Sequence, residues 1–202
     1  MSVNKFTTFF RQIIDSLSQY NLPYVLVGGT VMPYFGNIRS TQDIDIMLLL
    51  DEITSDKLEN WLEYLDSIGM VFSKSEIIYA LNNNIHCNIF DPQTFVFRVD
   101  LKRINTKLDL LTYEYRQKVN MNNRDVWINC PESQIGVKIS PGFRSSTDLE
   151  DVQSIIETMD IDSKRLEKFL NITASYNFCC KLLRDFNTKR SAKLRQDLGC
   201  QT

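Results

Sequence analysis

The sequence lacks several features that would place it in a special class of proteins. No apolar run approaches the ~20 residues that span a bilayer and no signal peptide opens the chain, so we expect a cytoplasmic protein without membrane contact. The five cysteines form no C-x-x-C pair, which argues against a zinc site and favours reduced, mostly buried thiols. A net charge of −2 excludes a bulk electrostatic attraction to nucleic acid. Internal repeats and low-complexity segments are also absent.

What is present is the pattern of a mixed globular protein. At 202 residues, with 43% hydrophobic and 24% charged residues, the chain is expected to form one domain or a domain with an appendage. Strand-like segments and amphipathic helices alternate in the first part, and residues 104–119 fit neither pattern clearly. From Pro131, a natural first helical residue, the pattern is helical. We predict an α+β fold (mixed α/β), a small mixed sheet flanked by helices, in which residues 1–130 form the core and residues 131–202 a helical subdomain with a basic tail.

One stretch, residues 24–50, carries the features most relevant to function. Residues 24–27 are apolar and β-branched, as in a buried strand, and Gly28 and Gly29 follow where the chain must bend. Asp43 and Asp45 lie two positions apart in a second predicted strand. Their carboxylates should therefore leave the same face of a sheet.

The residue types in this stretch suit phosphate chemistry. Two neighbouring carboxylates each disfavour the ionisation of the other, and a fold tolerates them best when a cation neutralises them. Mg²⁺ prefers carboxylate oxygens, and two such ions can stabilise the attacking oxygen and the leaving oxygen of a phosphoryl displacement. Backbone N–H groups in a glycine turn at a helix start bind phosphate oxygens. The stretch therefore indicates a site for a nucleoside triphosphate with magnesium.

The two motifs at this spacing resemble the signature of the nucleotidyltransferase superfamily, which has the fold of DNA polymerase β. Residues 27–30 (Val-Gly-Gly-Thr) and 39–45 (Arg-Ser-Thr-Gln-Asp-Ile-Asp) are similar to a small prokaryotic branch that includes AbiEii-type toxins and minimal nucleotidyltransferases. The resemblance implies transfer of a nucleoside monophosphate from an NTP, such as ATP, to an acceptor, with release of pyrophosphate. It also implies two Mg²⁺ ions bound by the carboxylates. The nucleotide-binding residues that it implies are Gly28, Gly29, Thr30, Arg39, Thr41, Lys138, Arg144 and Asp148.

Asp100 is the candidate for a third catalytic carboxylate. It lies near the end of a predicted strand, residues 95–101, in which Val96, Arg98 and Asp100 share a face. The family uses a third acidic residue on a later strand, so the resemblance favours Asp100 as a ligand and as the acceptor of the substrate proton. The alternative is a salt bridge to Arg98 or to a neighbouring cation.

Several other assignments have two interpretations. Arg39 either stabilises the pyrophosphate charge or pairs with an aspartate when no metal is bound. Residues 145–147 (Ser-Ser-Thr) stand where the branch has further basic residues, so the roles of Arg144 and Asp148 are open. Thr147 and Asp148 also fit an N-cap and a first-turn anion. The basic tail, residues 181–195, suits RNA phosphates or a solvated helix end.

The resemblance leads to a functional hypothesis with two alternatives. We expect a nucleotidyltransferase that modifies a hydroxyl of RNA, such as tRNA, or of protein, as the toxin of a toxin–antitoxin pair with an antitoxin protein as partner. One alternative is a non-catalytic member of the same fold that binds nucleotide or protein. The other is a structural or interaction module whose carboxylates only form salt bridges.

Overall fold

The computed structural model describes residues 2–38, 40–142 and 144–200, which form two compact units. The first unit comprises the described residues up to Val31 and those from Ser40 to Ile128. The second comprises the described residues of Met32–Arg39 and of Asn129–Thr202. The predicted α+β architecture is confirmed.

A mixed six-stranded sheet in the order β3-β4-β2-β1-β6-β5 forms the centre of the first unit, as far as its residues are described. β2 runs parallel to β4 and β1 runs parallel to β6, whereas the remaining neighbours are antiparallel. The strands are β1 (Tyr24–Val27), β2 (Asp43–Leu48), β3 (Cys87–Phe90), β4 (Arg98–Arg103), β5 (Gln117–Met121) and β6 (Arg124–Ile128).

Helices flank the sheet in the first unit and make up most of the second. The helices of the first unit are α1 (Ser2–Gln19), α2 (Ser55–Ser67), α3 (Lys74–Asn82) and α4 (Lys107–Glu114), with 3₁₀ turns at Gly28–Val31 and Leu50–Glu52. Those of the second unit are α5 (Pro131–Lys138), α6 (Ser146–Thr158), α7 (Ser163–Ile172), α8 (Tyr176–Phe186) and α9 (Lys189–Asp197).

Alternation along the central strands separates a core face from a polar face. On β2, Ile44 and Ile46 are buried, and Asp43 and Asp45 are partly exposed on the opposite face. Trp61 of α2 is fully buried in the same unit, and its indole N–H donates to Ser16 Oγ of α1 at 2.9 Å. This bond satisfies the one polar group of a large core side chain.

Three boundaries differ from those predicted. The strand predicted at 95–101 begins at Arg98, because Phe95 has a φ of +55° and leaves the β region. The undecided residues 104–119 form α4, whose N-cap Thr106 makes a capping box with Asp109, followed by β5. The N-cap of α6 is Ser145 rather than Thr147, since Ser145 reaches the Asp148 amide.

The prediction that all cysteines are reduced is wrong for one pair. Cys180 of α8 and Cys200, just beyond α9, form a disulfide with their Cα atoms 5.6 Å apart. The two helices contact each other, which brings together cysteines that are 20 positions apart in the sequence. Cys87, Cys130 and Cys179 are free thiols.

Among the helices whose ranges are given above, none is both long enough and apolar enough to cross a membrane.

Candidate active site

The first element of the site is the glycine turn at the end of β1. Val27, the last residue of β1, pairs with Asp45 of β2, so the turn begins beside that carboxylate. Gly28 has a φ of +67°, and a Cβ placed on it would lie 2.2 Å from Asp45 Oδ2. The absence of a side chain at Gly28 is therefore required twice, by the backbone conformation and by the close approach of Asp45.

Two threonine hydroxyls fix the start of β2. Thr30 is buried, and its Oγ1 donates to the backbone carbonyl of Asp43 at 2.7 Å. Thr41 Oγ1 donates to the same carbonyl at 3.2 Å and accepts from the Asp43 amide at 3.3 Å. Both residues are predicted to bind nucleotide. In the structure their hydroxyls hold the backbone that carries Asp43.

The register of β2 against β4 brings the three predicted carboxylates to one face. The two strands are parallel, Asp45 lies directly opposite Asp100, and Asp43 lies opposite Arg98. Residues directly opposite each other point to the same side of a sheet, and residues two apart on a strand do the same. Asp43, Asp45 and Asp100 therefore share a face at the end of the sheet where β2 and β4 begin.

Arg98 lies among these carboxylates. Its Nε donates to Asp100 Oδ1 at 2.8 Å and its Nη2 lies 3.2 Å from Asp43 Oδ2. From the sequence, Arg98 is expected only as a possible salt-bridge partner of Asp100, and its contact with Asp43 is missed. The available signal was its spacing, since Arg98 is two positions before Asp100 and must share its face. The salt bridge and the shared carboxylate face are thus both present.

The charged groups of the cluster shift one another's pKa. The pKa of Asp43 is raised, chiefly by burial and further by the Asp100 charge, while the charge of Arg98 opposes the rise. The hydrogen bond to Asp100 and the charges of all three aspartates raise the pKa of Arg98. On the neighbouring strand β3, burial and the Asp100 charge raise the pKa of Cys87 to about 11. The Cys87 thiol is therefore protonated at neutral pH and is a poor nucleophile.

The donor set suits a hard divalent ion, although the side chains are not arranged around one. Carboxylate oxygens from three residues on one face are the ligands that Mg²⁺ prefers. Across the described part of the chain, no group of three His, Cys, Asp or Glu side chains is positioned to hold a metal. Arg98 provides a physical reason, because its guanidinium occupies one oxygen each of Asp43 and Asp100. These oxygens would have to be released for a metal to use them.

The predicted residues of the second unit form a buried ionic cluster of their own. Lys138 of α5 is 6% exposed, and its Nζ lies 3.0 Å from Asp148 Oδ1 and 2.6 Å from Asp151 Oδ2. Asp151 is fully buried and also accepts from Asn37 Nδ2 at 2.5 Å. Burial alone would raise the pKa of Asp148, but bonds from Ser145 and Lys138 outweigh it and lower the pKa. No sequence pattern predicts the hydrogen bond from Asn37 to this cluster.

Of the two arginines predicted to bind nucleotide, the structure describes Arg144. Arg144, with a φ of +65°, donates from Nε to the Ile139 carbonyl at 2.7 Å, and its guanidinium lies 3.9 Å from the centroid of the Phe178 ring. It therefore packs beside the ionic cluster of Lys138 through contacts of its own. Arg39 lies outside the described residues.

Comparisons with known proteins identify the fold. No family model matches the chain, and no curated protein matches its sequence. The lincosamide antibiotic adenylyltransferase LnuA in its lincomycin-bound crystal structure is similar, with a TM-score of 0.53, 16% identity and coverage of 76% of this chain and 96% of that one. ANT(2")-Ia in complex with adenylyl-2"-tobramycin has a TM-score of 0.53 and 14% identity over 85% of this chain and 98% of that one.

A third structure adds to this agreement. An antigenic nucleotidyltransferase-like protein from Paracoccidioides brasiliensis has a TM-score of 0.52 and 19% identity, covering 90% of this chain and 93% of that one. The three structures share the architecture that the glycine and aspartate motifs predict. The chain therefore has the nucleotidyltransferase fold.

Proposed function

We propose that the chain is a Mg²⁺-dependent nucleotidyltransferase that moves a nucleoside monophosphate from an NTP to an acceptor hydroxyl and releases pyrophosphate. The observation that carries this proposal is the register that sets Asp100 opposite Asp45, on the face that also bears Asp43. Asp100 is far from Asp43 and Asp45 in the sequence, and the pairing of β2 with β4 adds its carboxylate to their face. In this proposal, residues 1–130 are the catalytic core and residues 131–202 the helical subdomain.

The residues present suggest a division of roles. Asp43, Asp45 and Asp100 would hold two Mg²⁺ ions, which when bound neutralise phosphate charge and polarise the reacting oxygens. The Gly28–Gly29 turn, with Thr30 and Thr41 behind it, would accept the triphosphate through backbone N–H groups. Arg39, Lys138, Arg144 and Asp148 remain predicted nucleotide-binding residues.

The chemical step is an in-line displacement. The acceptor oxygen forms a bond to the α-phosphorus while the bond from the α-phosphorus to the bridging oxygen of the β-phosphate breaks, and pyrophosphate departs. The acceptor proton passes to Asp100. For Asp100 and Asp43 to act in this way, Arg98 must give up at least part of its two ion pairs. Arg98 would then be available to a phosphate oxygen or to solvent.

The similar structures bear on the acceptor. LnuA is bound to lincomycin and ANT(2")-Ia to an adenylylated tobramycin, and both compounds are small molecules. Transfer to RNA such as tRNA or to protein, an antitoxin partner and a toxin role remain predictions that rest on the AbiEii resemblance alone.

The test is magnesium-dependent labelling with each of the four α-labelled NTPs in a cell extract that supplies acceptors. We expect wild type to label a product and Asp45→Asn to abolish labelling without unfolding the protein. The matched control is Asp51→Asn, because Asp51 pairs with Arg103 of β4 at 2.6 Å near the other end of the same two strands. Full activity in Asp45→Asn, or equal losses in both variants, would reject the proposal.

A second candidate is a non-catalytic nucleotide-binding protein of the same fold. It is favoured by the ion pairs of Arg98, which contacts two of the three carboxylates without any metal. For such a protein, Mg²⁺ and NTP together would raise the free energy of unfolding, by about 2.7 kcal/mol at a hundredfold excess over the dissociation constant. No labelled product would form with any NTP.

A further inference from the structure

The hairpin loop between β3 and β4 lies at the same end of the sheet as the carboxylates. β3 and β4 are antiparallel, and residues 91–97 connect Phe90 to Arg98. Arg98 is also the first residue of β4 to pair with β2, opposite Asp43, and its amide donates to the Gln42 carbonyl at 3.1 Å. The loop therefore ends immediately beside the candidate active site.

The conformation of this loop is held by internal hydrogen bonds. Asp91 is buried, and its Oδ2 accepts from the Thr94 amide at 2.9 Å and from Thr94 Oγ1 at 2.7 Å. Its backbone amide donates to the Phe97 carbonyl at 2.9 Å. The Phe97 ring in turn lies 5.4 Å from that of Phe6 and 6.2 Å from that of Phe9, both on α1. Both ends of the loop are thus anchored.

The tip of this anchored loop presents apolar surface to solvent. Phe95 is 62% exposed and Val96 is 46% exposed. Phe95 also has a φ of +55°, a conformation that is rare for a bulky residue and that Asn or Gly adopts more easily. Neither the hydrophobic effect nor backbone sterics favours Phe at this position. Exposed apolar groups and unfavourable backbone conformations that persist near a site are typical of ligand contacts.

The chemistry of the tip indicates which part of a ligand it can contact. Residues 91–97 contain no lysine or arginine, so the loop itself offers no cationic side chain to a phosphate group. The first cation after the loop, Arg98, contacts Asp43 and Asp100 and therefore lies at the carboxylates rather than at the tip. Aromatic and branched side chains pack instead on the apolar face of a ring. This surface suits a small ring-bearing molecule better than a nucleic acid, whose binding depends on phosphate contacts.

We propose that Phe95 and Val96 form the acceptor platform of the enzyme, which holds the apolar face of a small, ring-bearing acceptor so that its hydroxyl reaches the carboxylate cluster. This inference rests on the proposed nucleotidyl transfer. Phe95 and Val96 act on specificity by positioning the acceptor, and they take no part in binding NTP or metal.

The test uses Phe95→Asn, which removes the ring and relieves the backbone conformation. The full-length protein is incubated with Mg²⁺, α-labelled NTP and a cell extract separated into small-molecule, RNA and protein fractions. We expect wild type to label the small-molecule fraction, and Phe95→Asn to label it at least tenfold less while its thermal stability is equal or higher. The thermal shift produced by Mg²⁺ and NTP should stay unchanged. Phe95→Tyr should retain most of the labelling.

Leu110→Gln is the control, since Leu110 is a 50%-exposed apolar residue on α4, which follows the opposite end of β4. It should label as wild type does. Label in the RNA or protein fraction, or small-molecule labelling that Phe95→Asn does not reduce, would overturn the acceptor platform while leaving nucleotidyl transfer intact. Absence of label in every fraction would overturn both proposals. A loss of stability in Phe95→Asn would also contradict the platform, because it would give Phe95 a structural role.

Discussion

The substitution Gly28→Ala should separate the geometry of the carboxylate cluster from the stability of the fold. An alanine Cβ at this position would lie 2.2 Å from Asp45 Oδ2 and 2.7 Å from Asp45 Cγ. Ordinary contacts between such atoms are longer, so the carboxylate must move by roughly 1 Å. The alanine must also adopt a φ of +67°, for which a left-handed residue costs about 1–2 kcal/mol.

The matched control is Gly69→Ala in the same unit. Gly69 has a φ of +86°, and the nearest atom to a Cβ at this position would be Pro92 Cγ at 3.9 Å, an ordinary contact. Both variants therefore carry the cost of a left-handed alanine, and only Gly28→Ala displaces a carboxylate. A displacement of about 1 Å at a reacting centre can reduce the rate by about 100-fold.

The assay combines denaturant unfolding with magnesium-dependent labelling. We expect both variants to lose about 1–2 kcal/mol of unfolding free energy. Gly28→Ala should also lose about two orders of magnitude in labelling and should bind Mg²⁺ more weakly in calorimetry, whereas Gly69→Ala should label like wild type. Wild-type labelling and Mg²⁺ affinity in Gly28→Ala would refute the assignment of Asp45 as a ligand.

Three further perturbations test other parts of the structure. The fold raises the pKa of Asp43 above its unfolded value of 3.8, so protonated Asp43 favours the folded state. This contribution to the free energy of unfolding is fully present below pH 3.8 and is lost as the pH rises through the folded pKa. The melting temperature of Asp43→Asn without metal should therefore exceed that of wild type by a margin that grows as the pH rises above about 4. Cys200→Ser opens the 20-residue loop to Cys180 and should lower the unfolding free energy by about 3 kcal/mol in denaturant titrations. Asp151→Asn leaves Lys138 buried with one carboxylate fewer, which should cost about 3–5 kcal/mol in the same measurement.

Each of these expectations has a contradicting result. A constant or shrinking margin for Asp43→Asn as pH rises would mean that Arg98 overcompensates the burial of Asp43. Equal melting temperatures of the wild type with and without reductant would argue that the Cys180–Cys200 bond does not form in solution. An unchanged unfolding free energy in Asp151→Asn would show that Asp148 alone compensates the charge of Lys138.

The parts of the site that depend on local pattern could be predicted from the sequence. The glycine pair, the alternation of Ile44 and Ile46 with Asp43 and Asp45, and the common side of Arg98 and Asp100 all follow from short-range periodicity. The pairing of Asp45 with Asp100 does not follow from it. The two strands are parallel and distant in sequence, and a shift of one residue in register would place Asp100 opposite an isoleucine.

Other features could not be predicted from the sequence because they depend on tertiary contacts. Phe95 continues the apolar alternation of β4 in the sequence, yet the bonds around Asp91 turn it out of the strand. The Cys180–Cys200 pairing requires α8 and α9 to pack against each other, and cysteine spacing alone does not define connectivity. The bond from Asn37 to Asp151 joins residues 114 positions apart, and no residue pattern indicates it.

Arg98 shows why the cluster can exist in the folded chain before any ligand binds. Carboxylates on one face repel one another, and burial together with the charge of Asp100 raises the pKa of Asp43. The guanidinium bridges Asp43 and Asp100 and so holds two candidate metal ligands from different strands close together. One guanidinium charge offsets only one of the two carboxylate charges that it contacts, however. The remaining negative charge favours a cation, so Arg98 can hold these two carboxylates together while an electrostatic reason for cation binding persists.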